Sequence, residues 1–357
     1  MTDAQANEAV FKTQSNNTTA YGLFSLTEDG NWSYTLNGEH ATVSALNEGE
    51  TLLDEITVTS TDGTEATVSI SIIGTARSDD FIVTQETTLN ADGENTGLSA
   101  YILIENAFSE GAIESPDMYS GNHQDVVHII EDTDPIVGNH FVFLAHRDED
   151  QDKDKGATDR QRNEIKLLIN RPPQHLPLKT KPYNSSWKFK VSSELELSSK
   201  FSHFFQIKPV TIATIIPMAT TTNLLLRSLV HKNSTGNQLQ VRYSAGFDEN
   251  GNSTGLDKNL IETDWSLITD EWIAVFVQAT FSEAGQFEMT LTRLSDNEEL
   301  FSISEQNIDM WRGFSDDDFA RPKWGIYRSI VETDSLRAEE EQVRFADFVI
   351  KKGVLAQ

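Results

Sequence analysis

Apolar and polar residues alternate along most of this chain in runs too short for helices. YGLFSL (21–26), WSYTL (32–36), ITVTST (56–61) and TEATVSISIIGT (64–75) set apolar side chains at about every second position, the period of a half-buried strand. Between them stand Asp29-Gly30, Asn37-Gly38 and Asp62-Gly63, dipeptides suited to the tight turns of hairpins. Residues 1–76 therefore predict a small separate β module. Residues 77–97 are polar with little periodicity and read as a linker or an entry strand. From 98 onward the strand pattern returns in YILIENAF, DVVHII, HFVFLAH, EIKLLI, WKFKVS, FFQIKPVTIATI, LQVRYSA, WIAVFVQATF, FEMTLTRL and VRFADFVI. No stretch carries a helical period of useful length. Many short strands punctuated by turns predict an all-β fold, a two-sheet sandwich or jelly roll, over residues 98–357.

Composition narrows the partners. The 357 residues include 28 Lys or Arg against 56 Asp or Glu, a net charge of −28. That balance disfavours nucleic acid or an anionic membrane as a partner and suits a salty medium, where self-repulsion is screened. Residues 1–76 hold one Lys and eleven Asp or Glu, so −10 lies there and −18 in the remainder. With no cysteine, disulfides and thiolate chemistry are excluded. No apolar run reaches the length of a membrane span, and MTDAQANEAVFKTQSNNTTA has neither the basic start nor the apolar centre of a signal peptide. The expectation is a secreted chain whose leader and upstream sequence are absent from this one.

Three segments carry candidate chemistry. KWGIYRS, read as a strand, puts Lys323, Gly325, Tyr327 and Ser329 on one face, with Trp324 and Ile326 turned into a core. Gly325 would let a ligand backbone approach the sheet, with Tyr327 beside it. RQRNEIK puts Arg160, Arg162, Glu164 and Lys166 on one face, which is expected to meet water or a ligand, and Gln161, Asn163 and Ile165 on the other. HFFQIK groups Phe204, Gln206 and Lys208, with His203, Phe205 and Ile207 opposite unless a bulge intervenes. An ordinary solvated face explains RQRNEIK taken alone, and a structural histidine explains His203. The acidic loop after His146 sets Asp148, Asp150, Asp152 and Asp154 at alternate positions, an arrangement able to offer hard oxygen ligands to calcium. The interleaved Lys153 and Lys155 favour a solvated loop instead.

Two family resemblances lie on these residues. Over about residues 20–75 the series YG-F-L, DGNW-YTL, ALNEGETL-D and DGT resembles a VCBS-type repeat with its first strands missing. That likeness implies a spacer or adhesion module. Arg162-Asn163-Glu164-Ile165, Gln206-Ile207-Lys208 and Lys323-Trp324-Gly325-Ile326-Tyr327-Arg328-Ser329 resemble, in the same order, the signature strands R-[ST]-E-L, Q-I-H and K-A-G-x-Y-x-Q of jelly-roll alginate lyases. Lys208 stands where those have histidine, and Ser329 where they have glutamine. With DRQRNEIK, WKFK, RPKWGIYRS and VRFADF, the segment from about 100 to 352 is more similar to the ulvan lyases of polysaccharide lyase family 28.

That resemblance implies an endo-acting enzyme on an anionic polysaccharide, expected as a secreted monomer. It implies Lys208 and Tyr327 as the catalytic pair, with Arg160, Arg162, Asn163, His203, Gln206 and Lys323 around the substrate. No cofactor is implied for the chemistry, and calcium at Asp148, Asp150 and Asp152 would be structural. Breaking a uronide by β-elimination removes the C5 proton beside a carboxylate whose charge opposes carbanion formation. Lys208 suits neutralisation of that charge, with Gln206 holding the second carboxylate oxygen. Tyr327 would take the C5 proton and protonate the departing O4, its acidity enhanced by Arg162, Lys323 and Lys208. Glucuronan or alginate are the alternative substrates, and a non-catalytic carbohydrate-binding or adhesion protein is the alternative class. A glycoside hydrolase ranks lower because no motif pairs two carboxylates.

Overall fold

The computed structural model describes residues 10–38, 40–44, 46, 50–74, 81–153, 157–168, 179–210, 226–233, 236–244, 257–312 and 318–355. The chain forms two compact units, Met1–Phe81 with Leu355–Gln357, and Ile82–Val354.

The first unit is built from hairpins. β1 (Gln14–Thr18), β2 (Gly22–Leu26) and β3 (Trp32–Leu36) form an antiparallel sheet, and β4 (Thr51–Thr59) pairs with β5 (Glu65–Ile73). Gly30 and Gly63 take positive φ (83° and 91°) at the two Asp-Gly turns, as that dipeptide allows. Phe24, Leu26, Ile56 and Val58 make a small core. The buried Asp54 carboxylate accepts from Thr19 Oγ1 and Tyr34 OH, both at 2.6 Å, and from the Tyr21 amide at 3.0 Å. Three strand segments thus converge on one satisfied buried charge.

The second unit is a sandwich of two antiparallel sheets. One has seven strands in the order β15 (Lys258–Asp264), β14 (Gly236–Tyr243), β13 (Leu226–Asn233), β12 (Ser202–Val210), β19 (Phe319–Ser329), β10 (Arg160–Lys166) and β7 (Ile113–Glu114). The other runs β18 (Glu298–Ile308), β17 (Gly285–Arg293), β16 (Ile273–Thr280), β11 (Pro182–Val191), β20 (Glu341–Leu355), β9 (Gly138–Ala145) and β8 (Ile129–Asp134). β6 (Phe81–Leu89) pairs with β20, so the polar stretch 77–97 supplies an entry strand. This is the expected all-β jelly-roll class.

Aromatic rings fill the space between the sheets. Trp324 packs on Phe108, Trp187, Phe205 and Phe348 with ring centroids 5.5–5.8 Å apart, so β19 is anchored from its inner side. Arg328 lies on the same inner side and is fully buried, with Nε donating to Gln161 Oε1 at 2.8 Å and Nη2 paired to Glu341. Arg328 is thus a buried tie between β19, β10 and β20.

One element differs from expectation. YILIENAF is not a strand; Ala100–Phe108 is a helix, α1, burying Ala100, Ile104 and Phe108. That spacing of four is one helix face, and the short apolar run hid it among strand-like residues. Among the described residues no helix is long and apolar enough to cross a membrane.

Candidate active site

β10, β19 and β12 lie side by side in the seven-stranded sheet, and their register builds the candidate site. Arg162 faces Tyr327, Glu164 faces Gly325 and Lys166 faces Lys323 across one edge of β19. Across the other edge His203 faces Tyr327, Gln206 faces Lys323 and Lys208 faces Arg321. The register shifts between His203 and Phe205, a bulge in β12. It moves His203 onto the Tyr327 face while Phe205 stays in the core against Trp187 and Trp324. His203 therefore stands with Gln206 and Lys208, not opposite them.

Gly325 serves a different purpose from the one expected. Its φ is +142°, and a Cβ there would lie 2.1 Å from the Asn163 carbonyl oxygen and 2.7 Å from Glu164 Cα. The missing side chain admits the backbone of β10, not that of a ligand. Gly325→Ala should cost about 2 kcal/mol or more, from strain and the displaced strand. A urea-unfolding midpoint equal to the wild type would contradict this close approach.

The face above these strands is charged yet largely buried. Glu164 is fully buried, with Oε2 held by Lys323 Nζ at 2.7 Å and by Arg162, and Oε1 by Gln206. Glu114, from the two-residue strand β7, pairs with Lys166 at 2.6 Å and with Lys323 and Lys153. Burial opposes ionisation of both carboxyls. Lys323 and Arg162 outweigh it and hold both below the usual carboxylate range, with Lys166 and Lys153 adding at Glu114 and Lys208 at Glu164. The face expected to meet water or a ligand is for the most part an internal ion network. It stays buried because Glu114, Glu164, Arg162, Lys166 and Lys323 are each paired, and removing one partner would strand the others.

Tyr327 sits at the edge of that network. The guanidinium carbon of Arg162 lies 3.8 Å from its ring centroid, and Lys208 Nζ lies 5.3 Å from it on the β12 side. Arg160 Nη1 donates to the Tyr327 hydroxyl at 2.9 Å. Phe201 and His203 pack on the ring at centroid separations of 5.1 and 5.8 Å. Burial raises the phenol's pKa, and the opposing pull of Arg162 and Arg160 does not cancel it. The lowering expected from neighbouring cations is thus overturned by desolvation, and the resting phenol is protonated.

Lys208 is a cation with capacity to spare, as is Arg321 opposite it on β19, whose buried Nε has no hydrogen-bond partner. Arg162 is tied to Asp152 (Nε to Oδ1, 2.6 Å), and Lys323 to two glutamates. Lys208 has no carboxylate partner within ion-pair distance among the described residues. Burial, reinforced by the nearby Lys323, lowers its pKa from 10.5 to about 7 despite the pull of Glu164. An incoming carboxylate would favour its charged form.

Sequence-derived candidates therefore separate into two groups. Tyr327, Lys208, His203, Arg160 and Arg162 gather on one face. Lys323 and Gln206 lie beneath it, buried and engaged with Glu164, so both position the network and neither is free to hold substrate. Asn163 is a correction. It points to the opposite face, where Nδ2 donates to the His128 and Leu144 carbonyls at 2.8 and 3.0 Å. The alternating aspartates do not converge either: Asp148 pairs with Arg147, Asp152 with Arg162, and Asp150 with His123 and His128. They leave no shared oxygen shell for calcium, and Asp154 is outside the described residues. Glu114 and Asp152 went unrecognised as partners, since a two-residue strand and a loop carry no periodic signal. A cavity of about 400 Å³ lined by Lys190, Glu194, Asp270, Arg337 and Arg344 contains none of the gathered residues.

No family of known sequences matches this chain, and no curated protein does. Solved structures similar to it include an endo-β-1,4-glucuronan lyase from the fungus Trichoderma reesei, 14% identical over 76% of this chain and 96% of that one, with a TM-score of 0.46. An alginate lyase of polysaccharide lyase family 14 from Aplysia kurodai is 9% identical over 75% of this chain and 98% of its own, with a TM-score of 0.47. An alginate lyase of family 7 is 12% identical over 68% and 94%, with a TM-score of 0.41. These are likenesses of this chain, whose residues are assigned roles from their own geometry.

Proposed function

We propose that this chain is a secreted, endo-acting polysaccharide lyase that cleaves ulvan by β-elimination, leaving unsaturated uronyl ends. The observation that supports it is a half-buried lysine with no carboxylate partner among the described residues, beside a tyrosine whose hydroxyl is already oriented by Arg160. The uronate carboxylate would bind the Lys208 ammonium, which offsets its charge and acidifies the C5 proton. Tyr327 first loses its phenol proton to solvent and, held as phenolate by Arg160 and Arg162, takes the C5 proton. The C5 electron pair forms the C4=C5 bond as the C4–O4 bond breaks, and the same hydroxyl protonates O4. Ulvan as the substrate rests on the sequence resemblance, and the first unit is assigned a spacer or adhesion role on the same ground.

A second division of labour has its own support. With the Tyr327 pKa raised and that of Lys208 near 7, neutral Lys208 is suited to take the C5 proton while Tyr327 donates to O4. Hydrolysis has less support. Glu114 and Glu164 are held ionised by surrounding cations, so neither is suited to donate a proton to a leaving group.

Incubation with ulvan, glucuronan and alginate, followed by ultraviolet absorbance of unsaturated uronyl ends, tests the proposal. Absorbance should grow with ulvan. Growth with glucuronan or alginate alone would move the substrate, and silence on all three would leave a binding protein.

A further inference from the structure

Three histidines and an aspartate gather outside the candidate site. His123, His128, His146 and Asp150 each offer one ligand atom, a ring nitrogen or a carboxylate oxygen, and these four atoms all lie within 4.8 Å of one another. His128 and Asp150 are fully buried, and His123 and His146 are partly exposed at the rim. We propose that these four residues form a structural site for a zinc-class transition-metal ion.

Hydrogen bonding explains His128 only if that ring is charged, between Asp150 and Asp117 Oδ1 3.4 Å from Nδ1; with neutral rings it leaves a conflict. His128 Nδ1 lies 2.7 Å from the Val126 carbonyl, so a neutral ring places its proton there and turns the Nε2 lone pair toward Asp150 Oδ1, 2.8 Å away. His146 repeats the conflict. Its Nε2 bonds to Glu340 Oε2 at 3.0 Å, and its buried Nδ1 has no hydrogen-bond partner although Asp150 Oδ2 lies 3.5 Å away. Two lone pairs then face one carboxylate. A cation between them removes the repulsion. A carbonyl behind one histidine and a carboxylate behind another are the outer partners that orient metal-binding imidazoles.

Ring packing agrees. The three imidazoles meet pairwise at 4.9–5.1 Å with interplanar angles of 82–86°, so they surround a common point without stacking. Three nitrogens and one oxygen suit tetrahedral zinc. Calcium prefers six or more oxygens. Such an ion would join the segment before β8, the end of β9 and the loop that follows it. Asp150 lies two residues before Asp152, which holds Arg162 over the Tyr327 ring. The metal would therefore act as a clamp on the loop that positions Arg162, without touching substrate.

The test uses the full chain, stripped with a chelator and dialysed. Added zinc should bind at about one ion per chain by elemental analysis and raise the thermal midpoint, and calcium should do neither. Cobalt(II) should give the intense visible absorption of a four-coordinate site. Because His128→Ala removes a buried ring and threatens folding, two milder variants keep the proposal testable. His146→Ala, at the rim, should abolish stoichiometric binding, and Glu340→Gln should weaken zinc affinity by roughly 10- to 100-fold. Failure of the wild type to bind zinc, or binding unchanged by His146→Ala, would overturn the site and leave His128 as an imidazolium held by Asp150.

Discussion

Lys208→Met is expected to lower kcat/KM on the cleaved polymer by roughly a hundredfold to a thousandfold, the scale for losing one group that stabilises developing negative charge. Folding should not suffer. Burial and Lys323 already push this ammonium toward deprotonation, to about 7, so an apolar chain of similar length relieves a strain. The thermal midpoint should be unchanged or higher. The sign follows from proton counting. Between about 7 and 10.5 this lysine binds fewer protons folded than unfolded, so its contribution to stability grows with pH across that window. Lys208→Met should remove that growth.

Activity has the opposite dependence if Lys208 neutralises the carboxylate. kcat/KM should fall as pH rises through about 7, where the free enzyme loses the ammonium. A bound carboxylate favours the ammonium, so kcat should fall only at higher pH. Lys208→Arg keeps the charge at every working pH and should retain part of the activity without the limb near 7. If Lys208 is instead the base, kcat/KM rises toward that pH and Lys208→Arg is as inactive as Lys208→Met.

Tyr327→Phe is expected to reduce turnover by roughly a hundredfold or more. The substitution keeps the ring under the Arg162 guanidinium and beside Phe201, and removes only the hydroxyl that accepts from Arg160. A purely structural hydroxyl would cost on the order of 1 kcal/mol of stability and little rate. Loss of rate with a nearly unchanged midpoint is therefore the signature of proton transfer. Wild-type turnover in Tyr327→Phe would pass the role to His203, which packs against the same ring.

Much of the candidate site follows from strand alternation. A period of two put Arg162 and Glu164 on one face of β10 and Lys323 and Tyr327 on one face of β19, and the pairing of the two strands joined those faces. What covers a face is not written in its period. Four charges in RQRNEIK suggested water, whereas Glu114 and Asp152 arrive from distant segments and make burial tolerable. His203 depended on one bulge, which shifts phase without a residue of its own to mark it. Gly325 was read as admitting a ligand backbone, but the backbone that approaches it belongs to β10. The histidine cluster spans residues 123 to 150 across a hairpin, and no short motif announces it. The helix at Ala100–Phe108 was missed because eight apolar-rich residues fit either period.

The most direct test of elimination at the Lys208–Tyr327 face is the fate of solvent oxygen. Ulvan fragments released in heavy-oxygen water and weighed by mass spectrometry should carry unsaturated ends, one water lighter than hydrolysis products, and no solvent oxygen beyond the reducing-end exchange of a preformed oligosaccharide incubated alongside. Saturated fragments carrying one heavy oxygen per cleavage above that exchange would make the protein a hydrolase and contradict the mechanism.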